Sequence, residues 1–128
     1  MNRKFRRRYL RERQWKLTVP TSLARKFRSA LSEYDDENDY EIQTVDLTNA
    51  LEALKNILYW INEQLPEDYN DSELEDDISD IDNQIDNLEN YEDYDMSFED
   101  VVDEIDWLIN GDWGFFSLCD SLNIFVPL

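Results

Sequence analysis

The longest regular pattern in the chain is an apolar stripe at Leu47, Ala50, Leu51, Leu54, Ile57, Leu58, Ile61 and Leu65. Its three- and four-residue steps predict an amphipathic helix that Pro66 ends, with Asp46 as the N-cap. A second stripe, Leu74, Ile78, Ile81, Ile85 and Leu88, steps by four and three like a heptad seam. It follows Ser72 and Glu75, which have the S-x-x-E spacing of a capping box. Two such stripes in succession predict a packed helical hairpin. Ser97 is placed to cap a further helix with Phe98, Val101, Val102, Ile105, Leu108 and Ile109 on one face and Gly111 as its stop.

Shorter patterns complete the chain. Leu23, Phe27, Ala30, Leu31 and Tyr34 predict a helix after Pro20 and Thr21, while Trp15, Leu17 and Val19 alternate with Lys16 and Thr18 as a short strand does. Asp35 to Glu41 reads as an acidic loop, and Ile42 with Val45 as a second short extended segment. Asp112 is expected to open a last short helix carrying Phe115, Phe116, Leu118, Cys119 and Leu122. Ile124, Phe125 and Val126 then read as a buried extended end, suited to pairing with Trp15 to Val19. The expected fold class is mainly α, with α+β as the variant. It is a compact helical domain of four to five helices and two or three short strands over residues 15–128, preceded by a basic arm over residues 1–14.

Composition supports a folded body. Of the 128 residues 41% are hydrophobic, with four Trp, seven Tyr and six Phe, which is far richer in aromatics than a disordered acidic tail. A chain of this length buries roughly two-thirds of its unfolded surface on folding. The lone Cys119 leaves no partner for an intramolecular disulfide and no thiolate cluster, as suits a reducing compartment. No run approaches the ~18 apolar residues of a membrane span, and the Arg-rich start lacks the apolar core of a secretory signal. A soluble, cytoplasmic protein without a membrane partner is the expectation. The Arg-rich, acid-poor start also has the composition of a mitochondrial presequence, which stands as a rival.

Charge changes the picture more than any motif. Residues 1 to 28 hold eleven cations against one carboxylate, Glu12, for +10, while residues 29 to 128 hold only Lys55 against thirty carboxylates, for −29. Such asymmetry is an argument about partners. The run Asp71 to Asp95 carries twelve carboxylates. Were all of it helical it would extend about 37 Å, or one charge per ~3 Å, close to the spacing of phosphates along one DNA strand. Glu75, Asp82, Asp86 and Glu89 share one flank of the apolar seam and Glu73, Asp76 and Asp80 the other, with Glu92, Asp93 and Asp95 beyond. Like charges four residues apart destabilise a helix by a few tenths of a kcal/mol each. A merely solvated helix face and a face that imitates nucleic acid both fit this row, and the sequence leaves them open.

Aromatics lie among the acids. Tyr34, Tyr40, Tyr69, Tyr91 and Tyr94 suit either an interface or the rim of the core. Trp107 falls opposite the Val101, Val102 and Ile105 stripe among Asp100, Asp103 and Glu104. Exposed, it would anchor an interface; otherwise it packs under the C-terminal segment. At the other end, Arg3, Lys4, Arg6, Arg7, Arg8, Arg11, Arg13 and Lys16 surround few acids, and Trp15 follows them. The stretch RRRYLRERQWK, Arg6 to Lys16, resembles the arginine-rich RNA-binding peptides of lambda N-type phage antiterminators. That resemblance implies arginine contacts to RNA phosphates and Trp15 stacked on a base. The same arm is also suited to lying along its own acidic body.

Other chemistry is thinly represented. Asp35, Glu37, Asp39, Glu41, Ile42 and Asp46 approach the spacing of an EF-hand loop, but Tyr40 stands where the turn needs glycine and Asp46 where a bidentate Glu belongs, so no metal or other cofactor is expected. The chain has no His, no Gly-rich phosphate loop and no imidazole to activate Cys119, which argues against an enzyme. In size, acidity and helical bias the chain resembles phage-encoded anti-defence inhibitors, including DNA-mimic anti-restriction and anti-CRISPR proteins. The resemblance implies an inhibitor in the host cytoplasm whose acidic rows occupy the nucleic-acid channel of a host nuclease, with the arm on guide RNA or on the nuclease. Two alternatives remain: an RNA-binding adaptor acting through the arm, and an acidic immunity protein or antitoxin that neutralises a basic toxin. The sequence leaves monomer and dimer open.

A body of −29 repels itself. Raising ionic strength from about 0.01 M to about 0.15 M shortens the screening length from about 30 Å to about 8 Å. The midpoint of thermal unfolding should rise over that interval, as followed by circular dichroism.

Overall fold

A helix that carries an apolar stripe along most of its length must be covered along that length, and this requirement organises the chain. The computed structural model describes residues 16–65 and 72–127. Chain order is β1 (Leu17–Thr18), α1 (Thr21–Glu33), α2 (Tyr40–Gln64), α3 (Ser72–Asn90), α4 (Phe98–Asn110), α5 (Phe115–Ser121) and β2 (Ile124–Phe125). The mainly helical architecture expected from the sequence is the one observed.

The 25-residue α2 is the axis. Leu51, Leu54, Ile57 and Ile61 are fully buried, and Leu47, Ala50 and Leu58 nearly so. The predicted hairpin forms. α3 runs antiparallel to α2, with Leu88 and Glu89 beside Tyr40 and Thr44 at one end, Asp82 beside Lys55 in the middle and Asp77 beside Leu58 towards the other. α1 packs on α2 and buries Ala24 and Phe27, and Phe27 meets Phe115 of α5 edge-on at 5.8 Å between ring centroids. Ala24 and Phe27 of α1, Leu47, Leu51, Leu54, Ile57, Leu58 and Ile61 of α2 and Phe115 of α5 join one core cluster with Leu74, Ile81, Leu88, Phe98, Val101 and Leu118.

The start of α2 corrects the sequence reading. Asp46 is an interior residue of the helix, and Ile42 and Val45 are helical and exposed instead of forming an extended segment. The cap is Asp39, whose Oδ1 accepts from the Ile42 N–H at 3.0 Å, and the preceding acidic loop closes before Tyr40. The physical reason is Gln43. It occupies an inward position of the stripe at 3% exposure, where its amide donates to the carbonyls of Asn38 at 2.6 Å and Asp36 at 3.3 Å and accepts from the Tyr34 hydroxyl at 3.1 Å. One buried amide thus satisfies the loop from inside and replaces the apolar residue that the stripe would show.

Other boundaries follow their chemistry. Pro20 ends β1 and its carbonyl accepts from Leu23 and Ala24 at the head of α1. Ser72 is the first residue of α3, and its side chain lies outside the described residues, so the capping box is not placed. α3 stops at Asn90, and Tyr91 to Asp95 form a turn in which Asp95 takes φ 56°, a left-handed conformation that Asp tolerates better than most residues. Ser97 caps α4 as predicted, accepting from the Asp100 N–H at 3.1 Å, and Gly111 ends it. Asp112 does not open α5; Gly114 is the N-cap and Phe115 the first helical residue.

The expected pairing of the two extended ends is present, and it is parallel: Leu17 sits against Ile124 and Thr18 against Phe125, with the Val19 N–H donating to the Phe125 carbonyl at 2.9 Å. No helix among the described residues is long and apolar enough to cross a membrane.

Replacing Gln43 by Leu keeps the volume but strands the two loop carbonyls and the Tyr34 hydroxyl. Such unsatisfied groups cost about 1–3 kcal/mol each, less where water reaches them. Gln43→Leu should lower the stability measured by urea unfolding by at least about 1 kcal/mol, whereas Ile42→Gln on the exposed face should leave it nearly unchanged.

Candidate binding surface

The seam of α3 separates its carboxylates into two flanks, as the spacing predicted, and the structure gives each flank a different neighbour. Glu75, Asp76, Asp80, Asp82, Asp86 and Glu89 are exposed, while Leu74, Ile78, Ile81 and Leu88 are buried beneath them. Asp82 and Glu89 lie beside α2, and Asp77 and Asp80 lie towards α4. Because the helix ends at Asn90, Glu92, Asp93 and Asp95 belong to the following turn and leave the helical row. The side chain of Glu73 lies outside the described residues, as do Arg3, Lys4, Arg6, Arg7, Arg8, Arg11, Arg13 and Trp15 of the arm and Tyr69. Lys16 is described and is exposed.

The carboxylates are not equally available. Lys55 Nζ donates to Asp82 Oδ1 at 2.8 Å, so the one cation beyond Arg28 is committed to this row, and that bond raises the Lys55 pKa above its ordinary value against the opposing effect of burial. Asp86 is engaged by its own neighbourhood: Oδ1 accepts from the Asn90 amide at 2.9 Å and Oδ2 from the Tyr94 hydroxyl at 2.7 Å. The Tyr94 phenol is raised chiefly by that bond. Glu75, Asp76, Asp80 and Glu89 are the exposed carboxylates of the helix that have no such anchoring among the described residues.

The tyrosines divide in the same way. Tyr91 is half-buried and meets Phe98 edge-on at 5.3 Å, and Tyr40 stacks on Phe98 at 4.2 Å while its hydroxyl donates to Glu99. That bond raises the Tyr40 phenol and holds the Glu99 carboxyl below its ordinary value. Tyr34 is also half-buried and serves the loop through Gln43. These rings join helices. Tyr94 remains largely exposed.

Trp107 is exposed, at 65%, and does not pack under the C-terminal segment. It stands beside a second tryptophan that the periodic patterns do not reveal. Trp113, 72% exposed, lies in the loop between Gly111 and Gly114, outside any stripe. Both glycines of the chain serve this corner. A Cβ at Gly111 would lie 2.4 Å from Cε3 of Trp107, and one at Gly114 would lie 2.7 Å from the Trp107 carbonyl. Real side chains do not approach so closely, so only glycine allows the indole to lie against the end of α4 and the loop to turn back beneath it.

Between the two indoles and α3 opens a cavity of about 420 Å³. Its floor is apolar, formed by Leu54 and Leu58 of α2, Leu108 of α4, and Phe115 and Leu118 of α5. Its opposite side is polar: Asp77, Asp80 and Gln84 of α3 and Glu104 of α4. Gln84 Nε2 donates to Glu104 Oε2 at 2.9 Å, which ties the two helices and fixes that carboxylate at the cavity. The G-D-W-G run, an aromatic residue held between glycines, is the signal in the sequence that marks this corner.

Other chemistry finds no comparable arrangement. The residues at EF-hand spacing are divided between a loop and a helix, and among the described residues no three carboxylate or thiol groups converge as a metal site would require. Burial pushes the Cys119 thiol up to about 12, which leaves it protonated and unreactive near neutrality. No protein-family model, curated protein or solved structure matches the chain.

An acidic mouth concentrates cations and repels anions. Quenching of tryptophan fluorescence by caesium should exceed quenching by iodide. Replacing both Trp107 and Trp113 by Phe should remove most of the difference between the two quenchers.

Proposed function

We propose that the protein is a non-enzymatic, anti-defence type of inhibitor that binds a nucleic-acid-binding protein, most fittingly a host nuclease of the RNA-guided or restriction kind, and excludes its substrate by imitating a polyanion. The observation that carries this reading is the outward row of α3. Eight carboxylates occur in the nineteen residues of α3, of which Glu75, Asp76, Asp80, Asp82, Asp86 and Glu89 are exposed; eight over this length at ~1.5 Å per residue is one charge per ~3.5 Å, against about 3.4 Å per phosphate along a DNA strand. They are held on a helix whose opposite face is anchored in the core, so their spacing is fixed before any partner arrives. Preformed charge avoids part of the ordering cost of binding.

Energetics supports the same reading. Glu89 sits in the last turn of α3, where the helix macrodipole is negative, and no basic residue occupies that turn. A carboxylate there costs stability and a cation would add it, typically by about 0.3–1 kcal/mol. A surface selected only for solubility has no need of this placement. The arm would then contact RNA or an acidic patch of the nuclease, as its resemblance to RNA-binding peptides implies.

A second reading, an RNA-binding adaptor, draws on the exposed Arg25, Lys26 and Arg28 of α1, which continue the basic character of the arm onto the folded body. The two readings part on one measurement. The adaptor retains labelled RNA on a filter by itself, whereas the inhibitor displaces nucleic acid from a nuclease.

The test is displacement of a labelled duplex or guide RNA from a panel of RNA-guided and restriction nucleases. With a responding nuclease, the Glu75→Gln, Asp76→Asn, Asp80→Asn and Glu89→Gln combination should weaken displacement by more than about tenfold, and added salt should weaken the unaltered protein likewise. Glu89→Lys alone should raise the urea midpoint while lowering inhibition. No displacement across the panel, or displacement indifferent to both charge and salt, would overturn the reading.

A further inference from the structure

We propose that the cavity between Trp107, Trp113 and α3 is a receptor for an arginine side chain presented by a basic segment of the partner protein. The proposal rests on the reading of the protein as a ligand for a basic partner, and it adds where one residue of that partner is held.

Four features select arginine. The floor is apolar, so an occupant must bring hydrocarbon; the three methylenes of an arginine stem suit Leu54, Leu58 and Leu118. The walls include two indoles, whose faces attract a cation, and a planar, weakly hydrated guanidinium stacks on them better than a compact ammonium does. The polar side offers Asp80 and Glu104, and among the described residues no cationic one lines the cavity. A guanidinium presents five donors in a fork that a carboxylate accepts in pairs. Glu104 is held in place by Gln84 rather than swinging free. An anionic or neutral apolar ligand would meet the acidic side without compensation.

The corner is also built at a cost in sequence. Large exposed indoles are unusual on a surface that gains nothing from them, and they are enriched where interfaces concentrate binding energy. Here both glycines of the chain are placed so that one indole can approach the backbone at Gly111 and the loop carrying the other can turn. The acidic row and the cavity share Asp80, so a basic strand or helix tracking the row would bring a side chain to the mouth of the cavity.

The probe is the capped tripeptide acetyl-Leu-Arg-Leu-amide, titrated into the full chain and followed by tryptophan emission, beside the same peptide with neutral, isosteric citrulline in place of arginine. The arginine peptide should give a saturable change, and the citrulline peptide should bind at least about tenfold more weakly. Trp113→Ala and, separately, Glu104→Gln should each weaken the arginine peptide about tenfold. Each variant should keep the circular dichroism spectrum and melting curve of the parent; the conservative Glu104→Gln serves if Trp113→Ala does not.

Equal binding of the two peptides, or binding untouched by Glu104→Gln, would overturn the proposal. A full chain with Arg6, Arg7, Arg8, Arg11 and Arg13 replaced by Gln should bind the tripeptide as the parent does; an affinity gain of about tenfold would assign the cavity to the chain's own arm and overturn it equally. Because the peptides probe the cavity alone, their failure leaves the nuclease displacement result standing. Loss of displacement with peptide binding retained would remove the nucleic-acid mimicry and not the cavity.

Discussion

Burial of α2 on several sides is the constraint from which the remaining structure follows. Its inward residues pack against α1 and α3 and share one core cluster with Phe115 and Leu118 of α5. Complete burial of a Leu, Ile or Phe side chain contributes about 1.5–3 kcal/mol, and a like-charged helical pair costs only a few tenths. Ten large side chains are essentially inaccessible to solvent in this fold, from Phe27 and Leu51 to Leu118. The comparison explains how a body, residues 15–128, with thirty carboxylates and five cations folds at all: the repulsion is spread over many weak, screened terms, while the attraction is concentrated in buried apolar contacts.

That balance also divides the polar groups by role. Where a carboxylate meets a phenol or an amide, as at Glu99, Asp86 and Glu104, the bond joins one element to another or closes a turn. Where it meets none of the described residues in this way, as at Glu75 and Asp76, it adds charge to the outside. Lys55, the one cation beyond Arg28, shows the limit of internal compensation. Paired with Asp82, it neutralises one position of the α3 row.

Most of the architecture was legible from periodicity because apolar residues at three- and four-residue steps have few other uses. The stripes of α3 and α4, the Ser97 cap and the pairing of the extended ends were all visible in this way. The first two turns of α2 were not. There the inward position belongs to Gln43, and a polar residue in a core stripe reads as an interruption unless its three hydrogen bonds are known. The exposed Ile42 and Val45 strengthened the misreading, since β-branched residues between acids look like a strand. Of the candidate surface, the acidic row and Trp107 were accessible to helical geometry. Trp113 was not, because a loop residue has no period, and the cavity required the meeting of four helices that no local pattern specifies.

The two short strands have a consequence for how the molecule is made. Leu17 and Ile124 are neighbours in space although nearly the whole chain separates them. β1 therefore has nothing to pair with during synthesis until Ile124 and Phe125 have been added, so this contact is among the most non-local in the fold. A chain truncated before Ile124 would keep the packing of α1 on α2 and would leave β1 with no strand to pair with.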